Sequence, residues 1–310
     1  MAASGDPDIA TKEDGMTSKV GVIGLGIMGG AMARNLLADG IEVAGYDPAT
    51  AASAAFRHSG GSFLSSPFEV GQAADLVLIS VASSAALQEV VTGGEGLSGA
   101  SRPGLVVIEA STLPLIDKEA ARAALAKKGA VMIDCPISGT GAQAATRDLV
   151  FLASGDADSV AAARPLLERL GRSVKEVGPF GAGSKVKYVA NLLVSIYNVA
   201  TAEAMVLAAR AGLDPAMVFD VLYDSAATSR IFQLRAPFMV EGVYEPATAK
   251  VSMFVKDLDV IGSFANSLSC PTPLLAAIRP IYAAAMAQGM AELDGAAVHA
   301  VLEQMAGIER

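Results

Sequence analysis

The chain has 310 residues, room for about two domains with sizeable cores. A net charge of −9 with no basic run speaks against nucleic acid, and 52% hydrophobic with 18% charged residues excludes a disordered chain. Two cysteines (Cys135, Cys270) and two histidines (His58, His299) are too few for a disulfide framework, a cysteine-rich zinc site or a histidine-centred triad, and suit a reducing cytoplasm.

Residues 1–18 are acidic, with Asp6, Asp8, Glu13 and Asp14 and no apolar core of a signal peptide, so they read as a disordered leader in which Met16 is a second possible start. From Lys19 to about Val177 short apolar runs alternate with helical segments. The strand candidates are Lys19–Ile23, Glu42–Tyr46, Asp75–Val81, Leu105–Glu109, Val131–Asp134, Leu149–Ser154 and Val174–Val177. Between them lie the helical stretches Ala31–Ala38, Ala49–Arg57, Ala85–Val91, Leu115–Lys127 and Ala157–Leu170. This alternation predicts a doubly wound, mostly parallel sheet with helices on both faces, an α/β domain over 19–180.

Beyond Gly178–Gly183 no strand-like run follows. Ser184–Ala211, Pro215–Tyr223, Ser229–Val240, Ser252–Leu268, Thr272–Gln288 and Gly295–Ala306 are all helical by period, making an all-helical domain over 181–310. The first of these, 28 residues without Pro or Gly, runs about 42 Å and implies a homo-oligomer, dimer or tetramer. Its Tyr188–Ala209 stretch is long enough to span a bilayer, but Asn191, Ser195, Asn198, Thr201 and Glu203 would need partners in lipid. A helix central to a soluble protein explains the pattern better.

The first strand runs into Gly24-Leu25-Gly26-Ile27-Met28-Gly29, which opens a helix. Glycines there permit a tight turn and let backbone N–H groups approach a pyrophosphate. The second strand ends at Asp47, 23 residues beyond Gly24. An acid at that place accepts hydrogen bonds from ribose hydroxyls and repels a 2′-phosphate, and no Arg follows it, so NAD is expected over NADP. Asp before Pro48 also starts turns on its own account.

Two further segments stand out. Asp134-Cys135-Pro136-Ile137-Ser138-Gly139-Thr140-Gly141 follows a strand, where ligands bind in open α/β sheets; the Ser138 hydroxyl and the N–H groups of Gly139 and Thr140 could hold a carboxylate, or the segment is an ordinary turn. In Gly181–Asn191, Lys187 and Asn191 stand four apart on one helical face. Near the helix start, the positive dipole end would lower the proton affinity of Lys187 and attract an anionic substrate, favouring a general base. The alternative is a solvated lysine, like Lys185.

In their order, four motifs make the chain resemble the β-hydroxyacid dehydrogenase family over Lys19 to about Ala306: the turn at Gly24–Gly29, the Asp134–Gly139 loop, the Gly181–Asn191 helix start and Lys256-Asp257-Leu258. The resemblance implies a Rossmann-type fold and Lys187 as catalytic acid/base, with Asn191 placing the substrate. It implies that Ser138, Gly139, Thr140 and Thr112 touch the substrate. Gly24, Leu25, Gly26, Ile27, Met28, Gly29, Asp47, Val81, Ala82, Thr112 and Lys256 would touch the cofactor. The substrate implied is a small hydroxy acid or aldehyde acid of the 3-hydroxyisobutyrate or tetronate type, with a lean of the second half toward the L-threonate dehydrogenases.

Thr140 and Ala190 depart from the Gly and Asn of many relatives and reshape the pocket. Val194 stands where the similar 6-phosphogluconate dehydrogenases carry an acidic residue, which points to dehydrogenation without decarboxylation. Reduction of a small aldehyde acid, imine reduction and a non-catalytic NAD-binding role are the alternatives; Lys187 argues against the last two. Arg230, Phe232 and Gln233 are candidates for the distal end of the cleft, although a surface or interface role suits Arg230 better.

Overall fold

The computed structural model describes residues 19–308; the expected leader and the Met16 start lie outside the described residues. Its α/β part runs β1 (Lys19–Ile23), α1 (Ile27–Ala38), β2 (Glu42–Tyr46), α2 (Thr50–His58), β3 (Ser62–Phe63), α3 (Pro67–Ala73), β4 (Leu76–Ile79), α4 (Ser84–Thr92), α5 (Leu97–Ala100), β5 (Val106–Glu109), α6 (Leu115–Ala126) and β6 (Val131–Asp134). There follow β7 (Ile137–Ser138), α7 (Gly141–Ala145), β8 (Val150–Ala153), α8 (Ala157–Leu170) and β9 (Ser173–Glu176). Thereafter come α9 (Ala182–Arg210), α10 (Pro215–Tyr223), α11 (Arg230–Glu241), α12 (Val251–Ser267), α13 (Pro273–Ala287) and, after a 3₁₀ turn at Gly295–Ala297, α14 (Val298–Met305).

Six strands form one parallel sheet in the order β3-β2-β1-β4-β5-β6. Strands such as Leu76–Ile79 are buried throughout, because helices cover both faces of a parallel sheet. Alternate residues serve opposite cores: Val20, Val22 and Leu78 pack with Met32 and Leu36 of α1, whereas Ile23, Val77 and Ile79 pack with Leu87 of α4 and Leu125 of α6. The chain reverses direction of winding between β1 and β4, which places the ligand crevice beyond their carboxyl ends.

The last two predicted strands do not extend that sheet. They belong to a separate three-stranded sheet, β7-β8-β9, in which β7 is antiparallel to β8. Asp134 and Ser154 exchange backbone hydrogen bonds of 2.9 and 2.8 Å and join the small sheet to the end of β6.

In the helical part α9 is the axis, packed against α10 to α14. Its own core gathers Tyr188, Val199, Ala202 and Met205 with Phe232, Met239, Phe254 and Tyr282. By length and composition α9 could cross a membrane. Here three of its polar residues, Ser195, Asn198 and Thr201, are buried, while Glu203 is exposed; the Asn198 amide donates to Tyr282 Oη at 2.9 Å and Gly295 O at 2.8 Å. The helix starts at Ala182 rather than Ser184 and so includes Gly183, where a Cβ would collide with the Leu152 carbonyl. The expected single helix over Gly295–Ala306 is split, since Asp294 caps a 3₁₀ turn before α14 begins.

Asp294 is also the buried anchor of this half. It is fully buried and lies 2.6 Å from Arg235 Nη1, and it accepts from the Thr248 N–H (2.8 Å) and the Ala296 N–H (3.0 Å). Removing one member of a buried pair strands the other charge, so Arg235→Leu is expected to cost about 3–5 kcal/mol in chemical denaturation. A cost under about 1 kcal/mol would show that the pair does not hold α11 to the turn before α14.

Candidate active site

The site assembles at the carboxyl ends of β1, β4, β5 and β6, where the start of α9 comes down onto the sheet. Gly24 has φ +86°, and a Cβ on it would collide with the Ser80 carbonyl; one on Gly29 would collide with Gly24 O. These two glycines let α1 start tight against β1 and β4. Gly26 is different: a Cβ there would meet nothing within 4 Å, and no side chain caps α1. The exposed Gly26 and Ile27 thus leave a bare backbone cradle of the kind that a dinucleotide pyrophosphate fills.

Asp47 stands beside this turn. Its Oδ2 accepts from Leu25 N–H at 2.7 Å, and its Oδ1 accepts from Ala49 N–H at 2.8 Å. The turn reading of Asp47 therefore holds, and the same carboxylate is fixed against the glycine loop. Val81 is half-buried at the end of β4 with its N–H on Ser111 Oγ (2.9 Å), while Ala82 is exposed. The residues present thus fit an NAD(P) cofactor laid along these strand ends.

Beneath the cleft lies a group that sequence reasoning missed. Lys118, Glu109 and Asp134 are all fully buried; Lys118 Nζ lies 2.6 Å from Glu109 Oε2 and 2.9 Å from Asp134 Oδ1, and donates to Ser111 O at 2.7 Å. Burial works against the ammonium, but the two carboxylates and their hydrogen bonds outweigh it and hold the proton affinity of Lys118 above the ordinary lysine range. Asp134 in turn accepts from Ser184 N–H and Ser184 Oγ–H, each at 2.7 Å, and the Gly183 N–H donates to Ser154 Oγ at 2.9 Å. The signal was present in the sequence: Lys118, Ala121 and Leu125 share one buried stripe of α6, so a lysine stands where an apolar residue is expected.

The start of α9 therefore points its free N–H groups at Asp134 and Ser154, not into the cleft. This corrects the expectation that the helix dipole tunes Lys187 and draws in an anionic substrate. Lys187 is half-buried, and its proton affinity is lowered mainly by burial, then by the nearby charge of Lys256, with Asp257 acting in the opposite sense.

Around Lys187 the helical part supplies a polar cluster. The Asn191 amide donates to Asp257 Oδ2 at 2.6 Å, and Lys256 Nζ lies 3.1 Å from Asp257 Oδ1. Lys256 Nζ also donates to Thr112 O at 2.7 Å, and Tyr188 Oη–H donates to Leu113 O, so two side chains pin the loop after β5 from the helical side. Thr112, Lys187, Asn191 and Lys256 are thus brought to one place, with Asp257, named in the sequence only as part of a triplet, at its centre.

The Ser138–Thr140 loop lies on the cofactor side. A Cβ on Gly141 would collide with Ile27, so this loop abuts the glycine turn. Ser138 and Gly139 are exposed. Thr140 is not the open donor that the sequence suggests: its N–H donates to Gln143 Oε1 at 3.0 Å and its hydroxyl oxygen caps Gln143 N–H, a reciprocal cap at the start of α7. Of the distal candidates, Phe232 is core, stacked on Phe219, and Gln233 bonds Tyr223 O at 3.2 Å, so both serve the α10–α11 packing; Arg230 is exposed beside Gln233.

Residues 19–178 match the family described as the NAD binding domain of 6-phosphogluconate dehydrogenase, and 181–302 match that of NADP-dependent 3-hydroxyisobutyrate dehydrogenase. The chain is 37% identical to an L-threonate dehydrogenase of Cupriavidus necator, over 91% of this chain and 95% of that one. It is 33% identical to the mitochondrial 3-hydroxyisobutyrate dehydrogenase of Mus musculus, over 93% and 89% of the two chains. A crystal structure of 3-hydroxyisobutyrate dehydrogenase from Salmonella typhimurium superposes with a TM-score of 0.82 at 32% identity, covering 91% of this chain and 99% of that chain. With both halves matched at this breadth, the chain belongs to the β-hydroxyacid dehydrogenase family, NAD(P)-dependent oxidoreductases acting on CH–OH groups.

Proposed function

We propose that the chain oxidises a small hydroxy acid of the 3-hydroxyisobutyrate or tetronate type to the oxo acid or semialdehyde, with NAD preferred and without decarboxylation. The observation that carries this reading is Lys187: half-buried, with lowered proton affinity, and grouped with Asn191, Asp257 and Lys256 at the sheet's ligand-binding edge. The threonate and 3-hydroxyisobutyrate relatives support the substrate class. The bound nicotinamide supplies acceptance of a hydride from the carbinol carbon. Neutral Lys187 takes the hydroxyl proton at Nζ; in the reverse direction, reduction of an aldehyde acid, protonated Lys187 returns it.

Asn191, held by Asp257, orients the substrate over Lys187. The Ser138 hydroxyl and the Gly139 N–H hold its carboxylate, with Thr140 shaping that end through its cap. Gly24–Gly29, Asp47, Val81, Ala82, Thr112 and Lys256 hold the cofactor. Asp47, held by the N–H groups of Leu25 and Ala49, supports this reading as the acceptor of ribose hydroxyls that repels a 2′-phosphate. Val194 offers no acid for a decarboxylating step. Two free cysteines suit a reducing cytoplasm. The net charge of −9 and the buried Ser195, Asn198 and Thr201 of α9 favour neither nucleic acid nor membrane as partner. Val186, Val189, Leu193 and Tyr197 form an exposed apolar line along α9 that supports a homo-oligomer, dimer or tetramer.

Lys187→Met is expected to lower kcat about 10²–10⁴-fold while NAD binding by fluorescence titration stays intact; wild-type turnover would overturn the assignment. Because only neutral Lys187 accepts a proton, kcat for oxidation rises with pH through a midpoint below the ordinary lysine value, and kcat for reduction falls through its own. A rate of oxidation that falls across that range excludes Lys187 as the base. For the cofactor, kcat/KM with NAD should exceed that with NADP, and Asp47→Ala should raise the KM for NAD about 10- to 100-fold. Comparable efficiency with both cofactors in the wild type would refute the NAD preference.

A further inference from the structure

Lys118 has no place in the chemistry described so far, yet it joins both walls of the cleft. On one side its ammonium holds Ser111 O, and Ser111 is itself fixed by two more bonds: its N–H donates to Glu109 Oε1 (2.9 Å), and its Oγ accepts from Val81 N–H (2.9 Å). Ser111 precedes Thr112, whose carbonyl receives Lys256. On the other side Lys118 holds Asp134, which accepts from both the backbone and the hydroxyl of Ser184. Ser184 lies three residues before Lys187, within one turn of the same helix.

Two hydrogen bonds, to Ser111 O and Asp134 Oδ1, and the close ion pair with Glu109 Oε2 hold the ammonium from three sides. Two carboxylates against one ammonium leave one negative charge in the cluster, and the start of α9, not a second cation, answers it. Buried ion clusters of this kind are replaceable by apolar side chains with little or no loss of stability, so stability alone does not account for a lysine here. What an apolar residue could not supply is the directional link between the loop after β5 and the first turn of α9.

We infer that Lys118 is a positioning residue for the reaction: it locks the loop carrying Thr112 to the helix carrying Lys187, so that the cofactor side and the proton-accepting side keep one alignment. This rests on the reading of Lys187 as acid/base. Misplacement of reacting groups by about 1 Å costs on the order of 10²-fold in rate, so a link of this kind acts on kcat rather than on binding.

The test uses the full chain and three variants. Lys118→Met alone strands both carboxylates and is expected to be unstable. Lys118→Met/Glu109→Gln/Asp134→Asn removes the charges together and is expected to recover the melting temperature, but to leave kcat about 10- to 100-fold down with the NAD dissociation constant unchanged. Ser184→Ala keeps every charge and removes one bond to Asp134; it is expected to lower kcat and to move the pH midpoint for oxidation toward the ordinary lysine value as Lys187 loses burial. Lys256 and Asp257, the charged groups that face Lys187, are untouched in all three.

If the compensated triple variant recovers kcat together with stability, Lys118 only neutralises charge and the inference is overturned. If that variant fails to fold, Ser184→Ala decides: wild-type kcat and midpoint overturn the inference, and a lowered kcat with a shifted midpoint supports it. Lys187→Met separates the two readings. Turnover in that variant removes the acid/base assignment itself, whereas an inactive Lys187→Met beside fully active Lys118 and Ser184 variants removes only the positioning role.

Discussion

Glu109 and Asp134 end neighbouring parallel strands with no solvent exposure, and the architecture around the cleft is organised by the need to compensate them. Neither reaches the bulk solvent surface, so each carboxylate takes its charge and donors from the protein around it. Lys118 reaches up from α6 and serves both. Glu109 also accepts from Ser111 N–H, and Asp134 from Ser154 Oγ–H and from the amino end of α9, whose N–H groups would otherwise lack partners. The same contact therefore settles where the helical part meets the sheet and in which register α9 presents its side chains. Lys187 and Asn191 follow from that register.

One consequence concerns electrostatics. A helix start is commonly a place for substrate anions, but this one is already matched to Asp134. The lowered proton affinity of Lys187 comes from being folded under the helical part beside Lys256. Asp257 restrains that shift and at the same time holds Asn191, so one carboxylate pairs with Lys256, acts on Lys187 and orients the amide. The glycines around the site act by close approach: Gly29 against Gly24 O, Gly183 against Leu152 O, and Gly181, at φ +89°, against Leu115. They allow α1 and α9 to begin directly on the strand ends.

Much of the fold was legible because the periodicities were clean. The runs of β1, β2 and β6 are short, mostly apolar stretches bounded by Gly or Asp, and each matched its observed bounds. The two-residue strands β3 and β7 and the short α3, α5 and α7 escaped notice, since segments of that length hold no full period. Gly24–Gly29, Asp47, Thr112, Asn191 and Lys256, named from motif and order, lie at the strand ends and around the start of α9. Thr140 was misread as an open donor because the cap with Gln143 depends on the local turn. Phe232 was offered to the cleft although Phe219, on the neighbouring helix, covers it.

The sequence by itself determined the alternation of strand and helix, the glycine turn after β1, the helical second half and the spacing of Lys187 and Asn191, because each is set by local sterics or by a period of two or 3.6 residues. Only the tertiary structure decided that Lys118 lies between two carboxylates, that Asp134 receives the start of α9, and that Asp257 binds Asn191 across 66 residues of chain. The physical reason is the same in each case. Charge compensation and burial are properties of the space between elements, and no local pattern states which side chains will share it.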